Sequence, residues 1–172
     1  MATSTVVISQ SVLATRPGEQ RFRIEKPNSR PHDSLLIGLD QSSRDLIAGL
    51  VSERPERRHS FDLSHDEPDG KSEVPSWLAA VSARTKALSD ALEGKNLVVV
   101  IASAGADAQA AAIIGDMCKA NGVQMTALVI NAEQHSDGEV AATLAQLRPS
   151  AAMVVVAADD IYVADMLRAL RA

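Results

Sequence analysis

Two short segments of this 172-residue chain place small and polar residues where a ligand could bind. The segments GLDQSSRD (38–45) and SAGADA (103–108) each follow an apolar run and precede a stretch with helical spacing. Phosphate-binding loops commonly occupy that position, because backbone N–H groups at a helix N-terminus can surround an anion. Both segments contain acids and few glycines, which disfavours phosphate. The candidate ligand-binding residues are Asp40, Ser42, Ser43, Ser103, Gly105 and Asp107.

A third polar segment, NAEQHSDGEV (131–140), contains Glu133, His135 and Asp137 within five residues. Such side chains can bind a metal ion or a ribose, and a histidine beside a carboxylate can transfer protons. Asp159 and Asp160 form a further carboxylate pair. No nucleophile motif and no second histidine or cysteine cluster accompanies them, so no metal site is predicted. His135, Asp137, Gly138 and Asp159 join the candidate ligand-binding residues.

The composition narrows the classes of partner. Hydrophobic residues make up 46% of the chain and aromatic residues 2%, so the core must be aliphatic and base stacking on aromatic rings is not expected. The net charge of -5 gives no reason to expect a nucleic acid. The apolar runs are too short to span a bilayer, and the N-terminus is a poor secretory signal. We therefore expect a cytoplasmic protein without nucleic-acid or membrane partners, in which Cys118 is a buried structural thiol.

The apolar pattern predicts strands alternating with helices. Near-continuous apolar runs are typical of strands buried on both faces of a parallel sheet, and right-handed crossovers place helices on both sides. The prediction is an α/β fold, a Rossmann-like three-layer sandwich with a mainly parallel five-stranded sheet. The predicted strands are 34–39, 58–63, 96–102, 123–130 and 151–157, and the predicted helices are 42–53, 75–94, 107–122, 136–148 and 160–171. Ligands in such folds bind at the carboxyl ends of the strands.

The same polar residues also fit the ends of the helices, where short side chains cap free N–H groups. Gly94 and the pair Asn121-Gly122 are predicted to end the second and third helices. The predicted N-caps are Ser42 or Ser43, Ser76, Asp107, and Asp159 or Asp160. Capping and ligand contact therefore remain alternative roles for these residues.

Two segments differ in composition from the rest. Residues 1–33 contain three prolines and five basic residues, which predicts a flexible arm, or an edge strand that could pair with another subunit. Residues 64–76 are rich in proline, glycine and charge, which predicts a mobile loop. Residues 34–172 are then expected to form a single Rossmann-like domain.

Several segments, read in order, resemble the nucleotide-binding half of FtsZ, the bacterial tubulin homologue. The segment LLIGLDQSSRDLIAGL is similar to that family's first strand, glycine-rich loop and helix, and ALEGKNLVVVIASAG to the stretch leading into its signature loop. Asp137-Gly138 matches the Glu-Gly of the ribose-contacting loop, and AAMVVVAADDIYVADML resembles the next strand and turn. The resemblance spans residues 34–168 and implies a nucleotide-binding fold with GTP or GDP as the first ligands to test.

Departures from that pattern imply a degenerate, non-hydrolysing relative. Asp40 to Ser43 replace the first glycine-rich loop, the signature loop is shortened to Gly105–Ala108, and Glu139 stands where the family has arginine. Added acids oppose a triphosphate on Coulomb grounds. The stretch from Gly105 to Ile130 is also similar to corrinoid-binding domains. There Gln109 takes the place of the cobalt-ligating histidine.

Three functions are compatible with these patterns. The first is a non-catalytic protein that acts by protein–protein association or self-association, through the N-terminal arm or an exposed sheet edge. The second is a module that binds a nucleotide or other small ligand through Ser103, Gly105, Asp137 and Gly138. The third is an enzyme that uses His135 with Asp137 or Asp159. Missing catalytic motifs favour the first function.

Overall fold

The computed structural model describes residues 31–63, 74–157 and 160–172, with the backbone alone for residues 74–82, 160 and 161. Residues 1–30 of the predicted arm lie outside the described residues. Residues 64–73 of the predicted loop, and Asp159, also lie outside them.

The chain alternates strands and helices, as its apolar pattern predicts. The elements are β1 (Ser34–Gly38), α1 (Gln41–Glu53), β2 (Arg58–Asp62), α2 (Val74–Leu92), β3 (Leu97–Ser103), α3 (Ala110–Ala120), β4 (Gln124–Ile130), α4 (Asp137–Leu147), β5 (Met153–Val156) and α5 (Asp160–Ala169). A short 3-10 helix, Ala132–Gln134, precedes α4.

All strand pairs in the described sheet are parallel, in the order β2-β1-β3-β4-β5. Helices cover both faces, so the prediction of a Rossmann-like three-layer sandwich is confirmed. This strand order is the flavodoxin-like variant of the doubly wound fold.

The sheet separates two apolar clusters. Val98 and Val100 of β3 pack with residues of α2, α3 and α4 on one face, whereas Val99 and Ile101 pack with residues of α1 and α5 on the other. Successive side chains of a strand point to opposite faces, so a strand covered on both sides must be apolar at every position. That requirement explains the unbroken run LVVVIA.

The chain order places a crevice between β1 and β3. The crossover after β1 leads to β2 on one side, and the crossover after β3 leads to β4 on the other. Loops diverge at such a switch point, and ligands of open α/β sheets bind there. Two of the polar segments singled out in the sequence, GLDQSSRD and SAGADA, flank this crevice.

Two predicted N-caps are wrong, because capping depends on which side chain reaches a free N–H group. Asp40, rather than Ser42 or Ser43, caps α1, and Ser43 completes the capping box from the third helical position. Helix α2 begins at Val74, so Ser76 lies within its first turn. The Asp107 side chain does reach such a group, since its Oδ1 accepts from the N–H of Gln109, directly before α3.

Two predicted helix ends are confirmed. Gly94 follows α2 with φ of 72°, and Gly122 follows α3 with φ of 67°. Glycine adopts this left-handed conformation without the steric penalty that a Cβ atom brings. The chain can therefore reverse at these points and enter β3 and β4.

None of the helices in the described ranges combines the length and apolar character needed to cross a bilayer.

Candidate functional site

The carboxylate of Asp40 bridges the two loops at the switch point. Its Oδ2 atom accepts a hydrogen bond of 2.7 Å from the backbone N–H of Ser103, and its Oδ1 atom accepts one of 2.9 Å from the Ser103 hydroxyl. The same Oδ1 atom accepts from the N–H of Ser43 at 3.0 Å. An acidic side chain thus occupies the point where the N-terminus of α1 meets the end of β3.

The Asp40 carboxylate is held in its ionised form. Partial burial raises the pKa of Asp40, but the hydrogen bonds from Ser103 and Ser43 lower it by more, so the net pKa lies below the ordinary value of 3.8. Backbone N–H groups that point at an ionised oxygen are the usual recognition elements for a bound anion. Here the anion belongs to the protein itself.

The loop after β3 directs its first N–H groups at acceptors within the protein. The N–H of Ala104 donates to the carbonyl of Ile130 at 2.9 Å, and the N–H of Gly105 donates to Thr143 Oγ1 at 3.0 Å. The N–H of Ala106 donates back to the Ser103 carbonyl at 3.1 Å. These donors are therefore not directed at the crevice.

The N–H groups in the second half of the same loop also donate to acceptors within the protein. The N–H of Ala108 donates to Gln146 Oε1, and the N–H of Gln109 donates to Asp107 Oδ1 at 3.1 Å. Thr143 and Gln146 both lie on α4, so this helix supplies the acceptors that a phosphate group supplies in a nucleotide-binding loop. The loop is a strand-to-helix turn fastened to α4.

Gly38 lets the start of α1 approach the end of β1 closely. A Cβ atom at this position would lie 2.8 Å from the Arg44 nitrogen and 3.0 Å from Ser43 Oγ. Real Cβ atoms do not approach a backbone nitrogen so closely, so glycine is required here. The start of α1 therefore packs directly on the end of β1.

His135 lies beside the loop after β3, next to Gly105. A Cβ atom at Gly105, whose φ is 76°, would lie 3.1 Å from His135 Nδ1. The same nitrogen lies 3.8 Å from Glu139 Oε1, a loose contact on the protein surface. Hydrogen bonds from Ser136 are the main cause of a lowered pKa for the Glu139 carboxyl. These bonds belong to the capping box that starts α4.

The predicted site residues separate into two groups. The structure brings together Asp40, Ser43 and Ser103, and it places Gly105 beside His135. Other candidates face solvent individually: Ser42, Asp137 and Gly138 are exposed at the first turns of α1 and α4. Within the described ranges, no three histidine, cysteine or acidic side chains are placed to bind a metal ion.

Thr143 and Gln146 were not among the predicted site residues. One sequence signal could have found Thr143: it is a polar residue at a position of α4 where helical spacing from Leu147 calls for an apolar one. Its side chain is buried and also donates to the carbonyl of Ala106 at 3.2 Å. Gln146 carries no comparable signal.

Arg58 is a buried charged residue that was also not among the predicted site residues. It begins β2, and its side chain is fully buried. Its guanidinium donates to the carbonyls of Leu50 at 3.0 Å and Ala172 at 3.3 Å, and it lies 3.3 Å from Glu53 Oε2. Burial is the main cause of a lowered pKa for Arg58. The side chain joins the ends of α1 and the C-terminal segment to β2.

Cys118 is a buried thiol of α3, as its setting in the sequence predicts. Burial raises its pKa to about 11, so the thiolate is scarce at neutral pH. The buried thiol is therefore a poor nucleophile at neutral pH.

Two clefts in the described part of the molecule have volumes of about 200 Å³ and 130 Å³. The larger, between α2 and α3, is lined by apolar side chains that include Leu88, Ile114 and Met117. The smaller lies beside Gly38 and Arg44. Sites for drug-sized ligands and cofactors usually measure roughly 300–1,000 Å³, so both clefts are small for a nucleotide.

Comparison with known proteins shows no family for this chain, since neither a protein-family model nor a curated protein matches it. A conserved protein from Enterococcus faecalis is similar in structure, with a TM-score of 0.45 and 10% identity over 80% of this chain and 98% of that one. A protein from Burkholderia pseudomallei described as a candidate pilus assembly-related protein has a TM-score of 0.45 and 17% identity, over 86% of this chain and 95% of that one. At these scores neither likeness bears on function.

Proposed function

We propose that this chain is a non-catalytic Rossmann-like association domain, whose phosphate-binding loops are degenerate and whose ligand crevice is filled by its own side chains. The observation that carries the proposal is the Asp40 carboxylate bound by Ser103 and Ser43 at the switch point. A free anion would have to displace an ionised group that already satisfies those donors.

Electrostatics supports the same proposal. Two phosphate oxygens placed near Asp40 would meet a like charge at short range in a partly buried site, where Coulomb repulsion is stronger than in water. The loop after β3 offers no compensation, because the N–H groups of Ala104, Gly105 and Ala108 already donate to the β4 carbonyl and to α4. Binding and hydrolysis of a triphosphate are therefore both disfavoured.

In this proposal the resemblance to FtsZ reflects common ancestry. In that family a glycine-rich loop surrounds phosphate with its N–H groups, whereas the similar loop of this chain donates its N–H groups to acceptors within the protein. We propose that the chain descends from a nucleotide-binding domain and has lost that activity. No enzymatic role is assigned to His135, because its neighbours Glu139 and Gly105 provide neither a nucleophile nor an enclosed cleft.

Thermal unfolding with added ligands tests the proposal. We expect no change in the melting temperature with GTP, GDP, ATP, NAD, a corrinoid or inorganic phosphate, with or without magnesium. A ligand that binds only the folded state stabilises it by RT ln(1 + [L]/Kd), so a ligand present far above its dissociation constant gives a measurable shift. A clear shift of the wild-type protein with GTP or GDP would overturn the proposal and make nucleotide binding the function.

The variant Asp40→Ser tests whether the Asp40 carboxylate occupies a place where a free anion such as phosphate would otherwise bind. Serine is also a good N-cap, so α1 should still begin at Gln41 while the donor Ser103 N–H is released. We expect this variant to melt at a higher temperature with inorganic phosphate than without it. The matched control is Asp45→Ser, which removes one charge from the exposed face of α1 and should leave phosphate without effect. Equal responses of the two variants would contradict the assigned role of Asp40.

A further inference from the structure

Strand β5 is an apolar edge of the described sheet. It pairs only with β4 among the described strands, and its residues MVVV are half-buried or exposed where those of β4 are buried. Val156 is 43% exposed, and Tyr162 of the adjacent helix α5 is 46% exposed. An edge strand presents unpaired N–H and C=O groups, and natural edges usually carry charges or proline that discourage pairing. This edge has neither within the strand.

Helix α4, which leads into β5, carries opposite charges at its two ends. Helix α4 begins with Asp137 and Glu139 and is followed by Arg148, and all three side chains are exposed. Helix α5 instead leads away from β5, since the carbonyl of Arg171 at its end accepts from the N–H of His32, which precedes β1. Helix α4 runs from the carboxyl ends of the strands to the amino ends. Its acids therefore lie toward the carboxyl end of β5, and Arg148 lies toward the amino end.

This charge pattern complements itself in one arrangement of two copies. A two-fold axis perpendicular to the sheet pairs β5 with β5 of the second copy in antiparallel fashion, and sets α4 beside the second α4. The acidic start of each α4 then faces the Arg148 end of the other. A two-fold axis parallel to the strands gives parallel edges instead and places the two α4 helices on opposite faces of the joined sheet, where their charges do not meet. The charges favour the antiparallel arrangement.

We infer that the β5 edge is the self-association surface of this domain, and that its partner is a second copy of this chain joined antiparallel through β5. The inference rests on the proposed function, since it names the partner of an association domain. The paired sheets form one continuous sheet across the two-fold axis, with α4 of each copy beside its counterpart.

Sedimentation of the full chain over a range of concentrations tests the inference. The wild-type protein should form dimers, and Val156→Lys should weaken the dimer at least about tenfold, because it places a charge at an apolar edge. The matched control is Ile113→Lys on α3, since Ile113 is 64% exposed but lies away from β5. A monomeric wild type, or loss of the dimer in the control alone, would overturn the inference. Circular dichroism establishes that both variants fold.

A charge exchange tests the antiparallel arrangement separately. Asp137→Arg alone and Arg148→Asp alone should each weaken the dimer about two- to tenfold, as expected for exposed ion pairs present twice in the interface. The double variant should recover most of the wild-type affinity. Additive losses in the double variant would contradict the antiparallel arrangement. None of these outcomes depends on nucleotides, so a failure here is distinguishable from a ligand response that defeats the proposed function.

Discussion

The two edge strands of the described sheet differ in how strongly their side chains discourage pairing with another molecule. At the β2 edge, His59, Ser60 and Asp62 are exposed and polar, and the buried Arg58 anchors the start of the strand. At the β5 edge, all strand residues are apolar and Val156 is exposed. Polar side chains weaken the attraction between strand edges of different molecules, whereas apolar ones strengthen it. The β2 edge thus carries polar side chains that discourage pairing, and the β5 strand carries none.

In the half of the sheet nearest β2, charged side chains hold separate segments together. Arg58 holds the end of α1 and Ala172, although its Nη2 atom is buried without a hydrogen-bond partner among the described residues, and Asp40 holds the two loops of the crevice. The half nearest β5 depends instead on close packing of small residues, as at Gly115 and Ser150. Three substitutions test this difference.

The largest effect is expected from Arg58→Met. The substitution leaves the carbonyls of Leu50 and Ala172 without their donor, and an unsatisfied buried polar group costs about 1–3 kcal/mol. We expect the free energy of unfolding in urea to fall by about 2–4 kcal/mol. The control Arg54→Met, on an exposed residue, should change it by less than about 0.5 kcal/mol. Equal small changes would mean that β2 does not depend on this buried charge.

A smaller effect is expected from Gly115→Ala on α3. Its new Cβ atom would lie 2.5 Å from the Cβ atom of Ser150, in the turn that leads to β5. Overpacking of this kind typically destabilises by about 1–3 kcal/mol. On α1, Gly49→Ala meets no atom within 4 Å and should stabilise by about 0.5–1 kcal/mol, because alanine favours a helix. Thermal unfolding of both variants measures the difference, and shifts of the same sign would refute it.

The smallest effect, and the only pH-dependent one, concerns Asp40. Its folded pKa lies below the ordinary value of 3.8, so its contribution to stability is fully present above about that pH and is lost as the pH falls through the lower folded pKa. At pH 7 we expect Asp40→Asn to cost about 1 kcal/mol, because asparagine still caps the helix but offers a neutral acceptor where Ser103 and Ser43 donate to an ionised one. The difference from wild type should vanish in strong acid, and a difference that persists at pH 2 would contradict this origin. Urea unfolding of the variant and the wild type from pH 7 to pH 2 measures it.

The order of the elements could be predicted from the sequence because apolar periodicity follows directly from burial. The runs SLLIGL and NLVVVIA could be recognised as strands β1 and β3, and Gly94 and Gly122 as helix ends, from local patterns alone. Errors of one to three residues occurred at helix starts such as that of α3 (Ala110–Ala120), where the predicted start was 107.

The contacts that fill the crevice could not be predicted in the same way. Asp40 and Ser103 are 63 positions apart, and Gly105 and Thr143 are 38 apart. Their meeting depends on the register of β1 against β3 and on the packing of α4, which no local pattern specifies. The sequence indicated that the loops were poor in glycine and rich in acid. Only the three-dimensional contacts assign the acid Asp40 to the position of an anion.

The buried thiol of Cys118 makes the chain suitable for site-specific labelling without prior removal of a native cysteine. It is the single cysteine of the chain, and its raised pKa and burial protect it from alkylating reagents at neutral pH. A fluorophore or spin label attached to a cysteine introduced at an exposed surface position would therefore report on that position alone. Slow modification of Cys118 itself would time the rare openings that separate α3 from the sheet.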